Sequence, residues 1–206
     1  MKLFTAKTAP SARRVAIYLA EKGIEIERIE VNLIAKEQRS ADFLRKNPIG
    51  KVPVLELDDG TFLPESAAIV EYVEEVHPNP PMIGKTLEER AHARASERIA
   101  SDIFARMALV LLHSHPSVPK NRPDFIQFPQ IAQGLQQSVA QLLQQLETRI
   151  ADRLFLAGRH PTIADCTFFA LMETAYMSFD YELPPSCPRL RAWYGRFKTR
   201  PSALIV

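Results

Sequence analysis

The sequence predicts two units of different class, an α/β unit followed by an all-helical bundle. Three observations carry this. Strand and helix patterns alternate up to residue 77, the proline-rich HPNPP at 77–81 interrupts them, and every later segment has helical period. The expected boundaries are 1–77 for the first unit, 78–86 for the linker and 87–206 for the helical unit.

Each element follows from its residues. Lys2 to Thr5 reads as a short strand. Pro10 opens an amphipathic helix, SARRVAIYLAEKG, with Val15, Ile17, Tyr18 and Leu19 on its apolar face. Proline in the first turn and Gly23 just past the end are its punctuation. Residues 25–32, EIERIEVN, alternate apolar and charged side chains and predict a half-exposed strand. A polar stretch with Phe43 and Leu44 on one face follows, then the turn signal NPIG at 47–50. KVPVLEL is a strand interrupted by Pro53, and Asp59-Gly60 predicts a two-residue hairpin turn into Thr61, Phe62 and Leu63. Glu65 and Ser66 lead into the helix SAAIVEYVEEV, with Ser66 as its expected N-cap. The order βαβαββα implies a small mixed sheet with helices on its faces.

In the second half, Leu87 to about Ser114 predicts one or two long helices. Residues 128–151 predict another, with Ile131, Leu135, Val139, Leu142, Leu143 and Leu146 along its seam. Residues 162–177 and 188–199 complete the bundle.

Composition narrows the function. The 206 residues are 46% hydrophobic and 24% charged, enough for a core that needs neither metal nor disulfide staples. Cys166 and Cys187 suit a reducing compartment better than a disulfide framework. Neither has the setting of a reactive thiol: Cys166 shares an apolar face with Phe169 and Ala170, and Cys187 sits between prolines. The start, MKLFTAKTAPSARR, lacks the apolar stretch of a secretory signal. The longest apolar run, Met107 to Leu112, is too short to cross a bilayer, so a cytoplasmic protein is expected. The formal charge of +2 is spread evenly, without the dense basic face of a nucleic-acid binder. Neither nucleic acid nor a membrane is an expected partner.

Two short motifs can carry chemistry. Pro53 inside a good strand is confined to an edge, a strand start or a bulge, and spacing alone favours an ordinary trans bond at Val52-Pro53. Glu65-Ser66 at a helix start reads either as capping or as an anion site. In the second case the free amides, the hydroxyl and the positive helix end hold a carboxylate, while Glu65 accepts from an ammonium. A ligand with both groups on one carbon, an α-amino acid head, satisfies the pair.

The βαβαββα order, the phrase NPIGKVPVLELDDGTFLPESAAIVEYV and the helical second half resemble the cytosolic glutathione transferases over essentially the whole chain. FLAGRHPTIADCTFF at 155–169 is similar to that family's core helix, in which Thr162 caps and Asp165 answers three residues on. RLRAWYGRFKTRPS at 189–202 is similar to its closing helix. The resemblance implies a thioredoxin-like first domain, glutathione as co-substrate, no metal, a homodimer and a role in detoxification. It implies that Val52 precedes a cis-proline and pairs its backbone with the cysteinyl part of glutathione. It implies that Glu65 and Ser66 hold the γ-glutamyl head. Lys51 and Gln38 match positions that contact the glycyl end, although a plain surface role fits each as well.

At the sulfur the chain departs from the pattern. The position that usually carries serine or cysteine is Ala9, and no tyrosine precedes Tyr18. Ser11, Thr8 and Thr5 are the nearby hydroxyls, with Ser11 the expected stabiliser of the thiolate or else a second capping residue. The chain is especially similar to a fungal and bacterial branch that lacks the usual residue and is thought to hold a water with groups of the helical domain. His113, Ser114 and His115 are candidates there, His113 as a base through one water or else a surface or C-capping histidine. The electrophile pocket is expected between the first helix and residues around Met107 to His113. The expected reaction is conjugation of glutathione to a small hydrophobic electrophile. A glutathione-dependent disulfide reductase or peroxidase, and a non-catalytic binding module, are the alternatives that Ala9 leaves open.

Overall fold

A computed structural model describes residues 1–121 and 124–205. The chain forms two compact units. Met1–Met82 together with residues 198–205 make one, and Ile83–Phe197 the other. The first unit runs β1 (Lys2–Thr5), α1 (Pro10–Lys22), β2 (Glu27–Glu30), a 3-10 turn (Glu37–Arg39), α2 (Ala41–Lys46), β3 (Val54–Glu56), β4 (Phe62–Pro64) and α3 (Ser66–Val76). This is the predicted thioredoxin-like βαβαββα order. The strands lie β2-β1-β3-β4, with β1 and β2 parallel and the other pairs antiparallel.

The sheet is short but its alternation is clean. Phe4 and Val54 share one face with Val31 and Phe43, and the Phe4 and Phe43 rings meet edge to face at 6.3 Å. Leu3 and Leu55, fully buried, point to the other face, where α1 and α3 pack together. Gly23 takes a left-handed φ of 65° and closes α1, its amide donating to the Ala20 carbonyl and the next amide, of Ile24, to the Leu19 carbonyl, as its position predicts. A buried network then ties α1 to α3. Glu74 accepts from the Tyr18 hydroxyl, from Lys22 Nζ at 2.8 Å and from the Met82 amide at 2.9 Å. Tyr18 is therefore committed to the core.

Two local expectations are corrected. The Asp59-Gly60 turn is not a two-residue hairpin: Leu57 N–H donates to Thr61 O at 2.9 Å, leaving a three-residue loop with Gly60 at φ 83°. The Asp59 carboxylate, accepting from the Thr61 amide and hydroxyl, favours that longer loop. Ser66 is not an N-cap but the first residue of α3, because Glu65 occupies the capping position at φ 70°.

The second unit holds α4 (Leu87–Ser114), α5 (Ser117–Asn121), α6 (Pro129–Ile150), α7 (Ile163–Phe179) and α8 (Pro188–Lys198). Leu87 to Ser114 is one helix, opened by a reciprocal Thr86–Glu89 capping box. α4 packs on α6 and α7. The seam of α6 holds as predicted at Val139, Leu143 and Leu146, which are buried, and at Leu135 and Leu142, half-buried; Ile131 is exposed, and Ala132 and Ile150 extend the buried face instead.

At the start of α7, Asp165 is fully buried. It accepts from the Leu156 amide at 2.9 Å, the Thr162 amide and hydroxyl at 2.8 Å each, and the Trp193 indole at 2.8 Å. Desolvation pushes its pKa up to about 6 against those bonds. Trp193 packs among Phe168, Phe169 and Phe197, so one carboxylate orders the start of α7 and the seat of α8. Glu147 of α6 caps α8 in turn, accepting from the Arg189 and Leu190 amides at 2.9 Å. Among the described residues no helix is long and apolar enough to cross a membrane.

Candidate functional site

The register of the sheet gathers the candidate residues at one end. Phe4 pairs with Val54 and Val54 with Pro64. The residues just after β1, just before β3 and just after β4 therefore leave the sheet on the same side. β2 runs parallel to β1 with Glu30 opposite Thr5, which adds the segment that follows β2. Ser11, Gln38, Lys51, Val52, Pro53, Glu65 and Ser66 all belong to these segments.

The Val52-Pro53 peptide is cis, where spacing alone favoured trans. The ladder starts only at Val54, and the Val52 amide and carbonyl have no hydrogen-bond partner among the described residues. The approach to Val52 is held by Asn47, which is buried. Its Nδ2 donates to Lys51 O at 2.8 Å and its Oδ1 accepts from the Ile49 amide at 3.1 Å. Gly50 is at φ 63°, and a Cβ there would lie 2.7 Å from Gln38 O and 2.8 Å from the Arg39 guanidinium. That close approach presses the Gln38 and Lys51 segments together. Gln38 buries its Oε1 without a partner, whereas Lys51 is exposed.

Two helix N-termini open at this end. In α3 the first intrahelical bond runs from Ile69 N–H to Glu65 O at 2.9 Å, so the amides of Ser66, Ala67 and Ala68 remain free. The Ser66 side chain is buried and its hydroxyl has no partner among the described residues, while the Glu65 side chain is exposed. Glu65 holds a backbone conformation that costs a non-glycine residue about 1–3 kcal/mol, the kind of strain that recurs at ligand clamps.

In α1, Ala9 occupies the capping position and supplies no side-chain bond. Pro10 has no N–H, and Arg13 N–H already donates to Ala9 O at 2.9 Å. The Ser11 and Ala12 amides and the half-buried Ser11 hydroxyl remain. Thr8 is exposed and Thr5 is buried within the sheet. Two positive helix ends, a free strand edge and one exposed carboxylate suit a zwitterionic peptide with several anionic groups.

His113 lies in the helical unit and is neither a surface nor a C-capping histidine. It is buried against Phe125 and Phe128, and its Nδ1 accepts from the Phe128 amide at 3.1 Å at the start of α6. With Nδ1 so engaged, the proton of the neutral ring sits on Nε2. His115 pairs with Ser117 at 2.8 Å. Asn47 and Gly50 were missed as site-forming residues. Their only sequence signal, NPIG, reads as a plain turn.

Comparison with known proteins agrees with this architecture. Residues 3–81 match the N-terminal domain of glutathione S-transferases and residues 129–196 their C-terminal domain. The chain belongs to the glutathione S-transferase family. It is 32% identical to glutathione S-transferase 2 of Saccharomyces cerevisiae, over 98% of this chain and 87% of that one. It superimposes on the crystal structure of Gtt2 from the same yeast with a TM-score of 0.84 at 29% identity, all of both chains being covered. It shares its fold with the Methylobacillus flagellatus glutathione S-transferase, solved with glutathione bound, at a TM-score of 0.82 and 23% identity over 98% of this chain and 96% of that one.

Proposed function

We propose that this chain is a glutathione transferase that binds glutathione at the open end of its sheet, stabilises the thiolate and conjugates it to a small hydrophobic electrophile. The observation that carries the reading is the meeting, at one sheet end, of two open helix N-termini with the unpaired backbone of Val52. In this reading the γ-glutamyl carboxylate lies on the α3 amides and the Ser66 hydroxyl, and its ammonium faces Glu65. The cysteinyl backbone pairs with Val52 beside Pro53, and the glycyl carboxylate faces Lys51 and Gln38.

The sulfur then falls to the α1 N-terminus. Ala9 supplies nothing, which groups the chain with the branch of the family that lacks an N-terminal tyrosine, serine or cysteine. The Ser11 and Ala12 amides and the Ser11 hydroxyl are the donors at hand. One hydrogen bond to a charged group contributes about 1.5–3 kcal/mol, enough to lower a thiol pKa by about 1–2 units from about 8.5. His113 is the second candidate, acting as a donor through Nε2–H and not as a base, because Nδ1 is engaged. The protein works as a homodimer.

The test is a pH titration of the thiolate absorbance of bound glutathione in wild type, Ser11→Ala and His113→Ala. A lowered pKa that Ser11→Ala restores supports the α1 assignment, and restoration by His113→Ala alone transfers the role to the helical domain. No lowering in wild type overturns the transferase reading.

A further inference from the structure

The helical unit contains a cavity that the glutathione chemistry does not use. Its volume is about 240 Å³, and it lies among the end of α7, the connecting residues 181–183 and one face of α8. None of the residues assigned to glutathione or its sulfur lines it. Three tyrosines form its walls: Tyr176, Tyr181 and Tyr194. Tyr194 is fixed from both sides, stacked on Phe169 at 5.4 Å and hydrogen-bonded to Glu173 at 2.5 Å, so its ring is a rigid wall.

The charged groups at this cavity, Arg191 and Glu182, are exposed at its rim. Arg191 and Glu182 both line it, yet neither makes an ion pair or a side-chain hydrogen bond among the described residues. The Tyr181 hydroxyl, half-buried, also has no hydrogen-bond partner among them. Burial raises the Tyr181 pKa, so the phenol stays a neutral donor and acceptor through the neutral range. A half-buried hydroxyl and two exposed, unbridged opposite charges around one small cavity offer a polar molecule convergent partners.

We infer that this cavity is a binding site for a small aromatic carboxylate bearing a hydroxyl or amino group at its far end. The carboxylate meets Arg191, whose planar guanidinium matches it. The ring lies between the tyrosines. The distal donor is accepted by Glu182 and Tyr181. The volume is below the roughly 300–1,000 Å³ of sites for drug-sized ligands, which selects a one-ring occupant. Gly195 also lines the cavity, and a Cβ built there meets nothing within 4 Å, so this helix turn leaves the space open.

Gly195 also makes the test clean. The full chain is titrated calorimetrically with 4-hydroxybenzoate while saturating S-hexylglutathione fills the glutathione site. The expected result is binding with a Kd of about 1 mM or tighter, and none for benzylamine, which has the ring without the carboxylate. Gly195→Leu, which fills open space, abolishes binding, Gly195→Ala retains it, and Arg191→Gln weakens it about tenfold or more. Should Gly195→Leu not fold, Arg191→Gln, a surface change, decides alone. No binding by wild type, binding unchanged in these variants, or displacement by S-hexylglutathione would overturn the site. Because the variants locate the probe, these outcomes do not depend on the glutathione assignment.

Discussion

Single atoms carry the predictions at the proposed site, and Ser66 is the sharpest case. A capping serine replaced by alanine costs about 0.5–2 kcal/mol of stability. Ser66 caps nothing, so Ser66→Ala should leave the unliganded melting temperature unchanged while weakening glutathione binding by about tenfold or more. A loss of stability in place of affinity would return Ser66 to a structural role. Asp165 gives a pH prediction. Its folded pKa of about 6 exceeds the 3.8 of an ordinary aspartate, so its contribution is fully present below about pH 4 and lost as pH rises through 6. Relative to Asp165→Asn, wild type should gain about 1 kcal/mol between pH 7 and pH 5, measured by urea denaturation. Of the proposed site, Val52, Glu65 and Ser66 stood out in the sequence because each sits at a boundary between elements. The three-dimensional part did not. Gly50 matters because Gln38 and Arg39 crowd it, and no local pattern in NPIG announces neighbours that far back in the chain.

Helices and strands were legible where one periodicity ran uninterrupted, as in α1, α3 and α4. The exceptions have local causes. Asp59 recruits both the amide and the hydroxyl of Thr61, which lengthens the hairpin loop past the two residues that Asp-Gly suggests. In α6 the predicted seam differs only at its ends, where packing against α4 buries Ala132 and Ile150 and leaves Ile131 exposed. The short α5 carries too few residues for any period to show. Helix α8 supports a prediction at this scale. Gly195 sits in its interior with open space where a side chain would be, so Gly195→Ala should stabilise the protein by about 0.5–1 kcal/mol in urea denaturation. Asp165→Ala should do the opposite. Removing the shared acceptor strands two amides and the Trp193 indole, and a loss of at least about 3 kcal/mol is expected.

For the molecule as a whole, the two-unit organisation was visible in the switch from mixed to purely helical periodicity. The return of residues 198–205 to the first unit was not, because those residues read only as the tail of a helix. Assembly is tested by sedimentation at micromolar concentration, where a species of twice 23.3 kDa is expected and a lone 23.3 kDa species would refute the dimer. The return of the chain has a physical basis in α1. Glu21 accepts from Arg200 at 2.6 and 2.7 Å and from the Ser202 hydroxyl, and the 3-10 turn Pro201–Leu204 packs on that helix. This has a consequence for the order in which a ribosome makes the protein. The contacts of α1 with Arg200, Ser202 and the 3-10 turn cannot form until the 115 residues of Ile83–Phe197 have been synthesised, a wait of about 6–23 s at roughly 5–20 residues per second. For that interval the first unit lacks these C-terminal contacts. The duration of that gap is set by the length of the helical unit, and what the gap exposes to chaperones and proteases by the first unit's own stability.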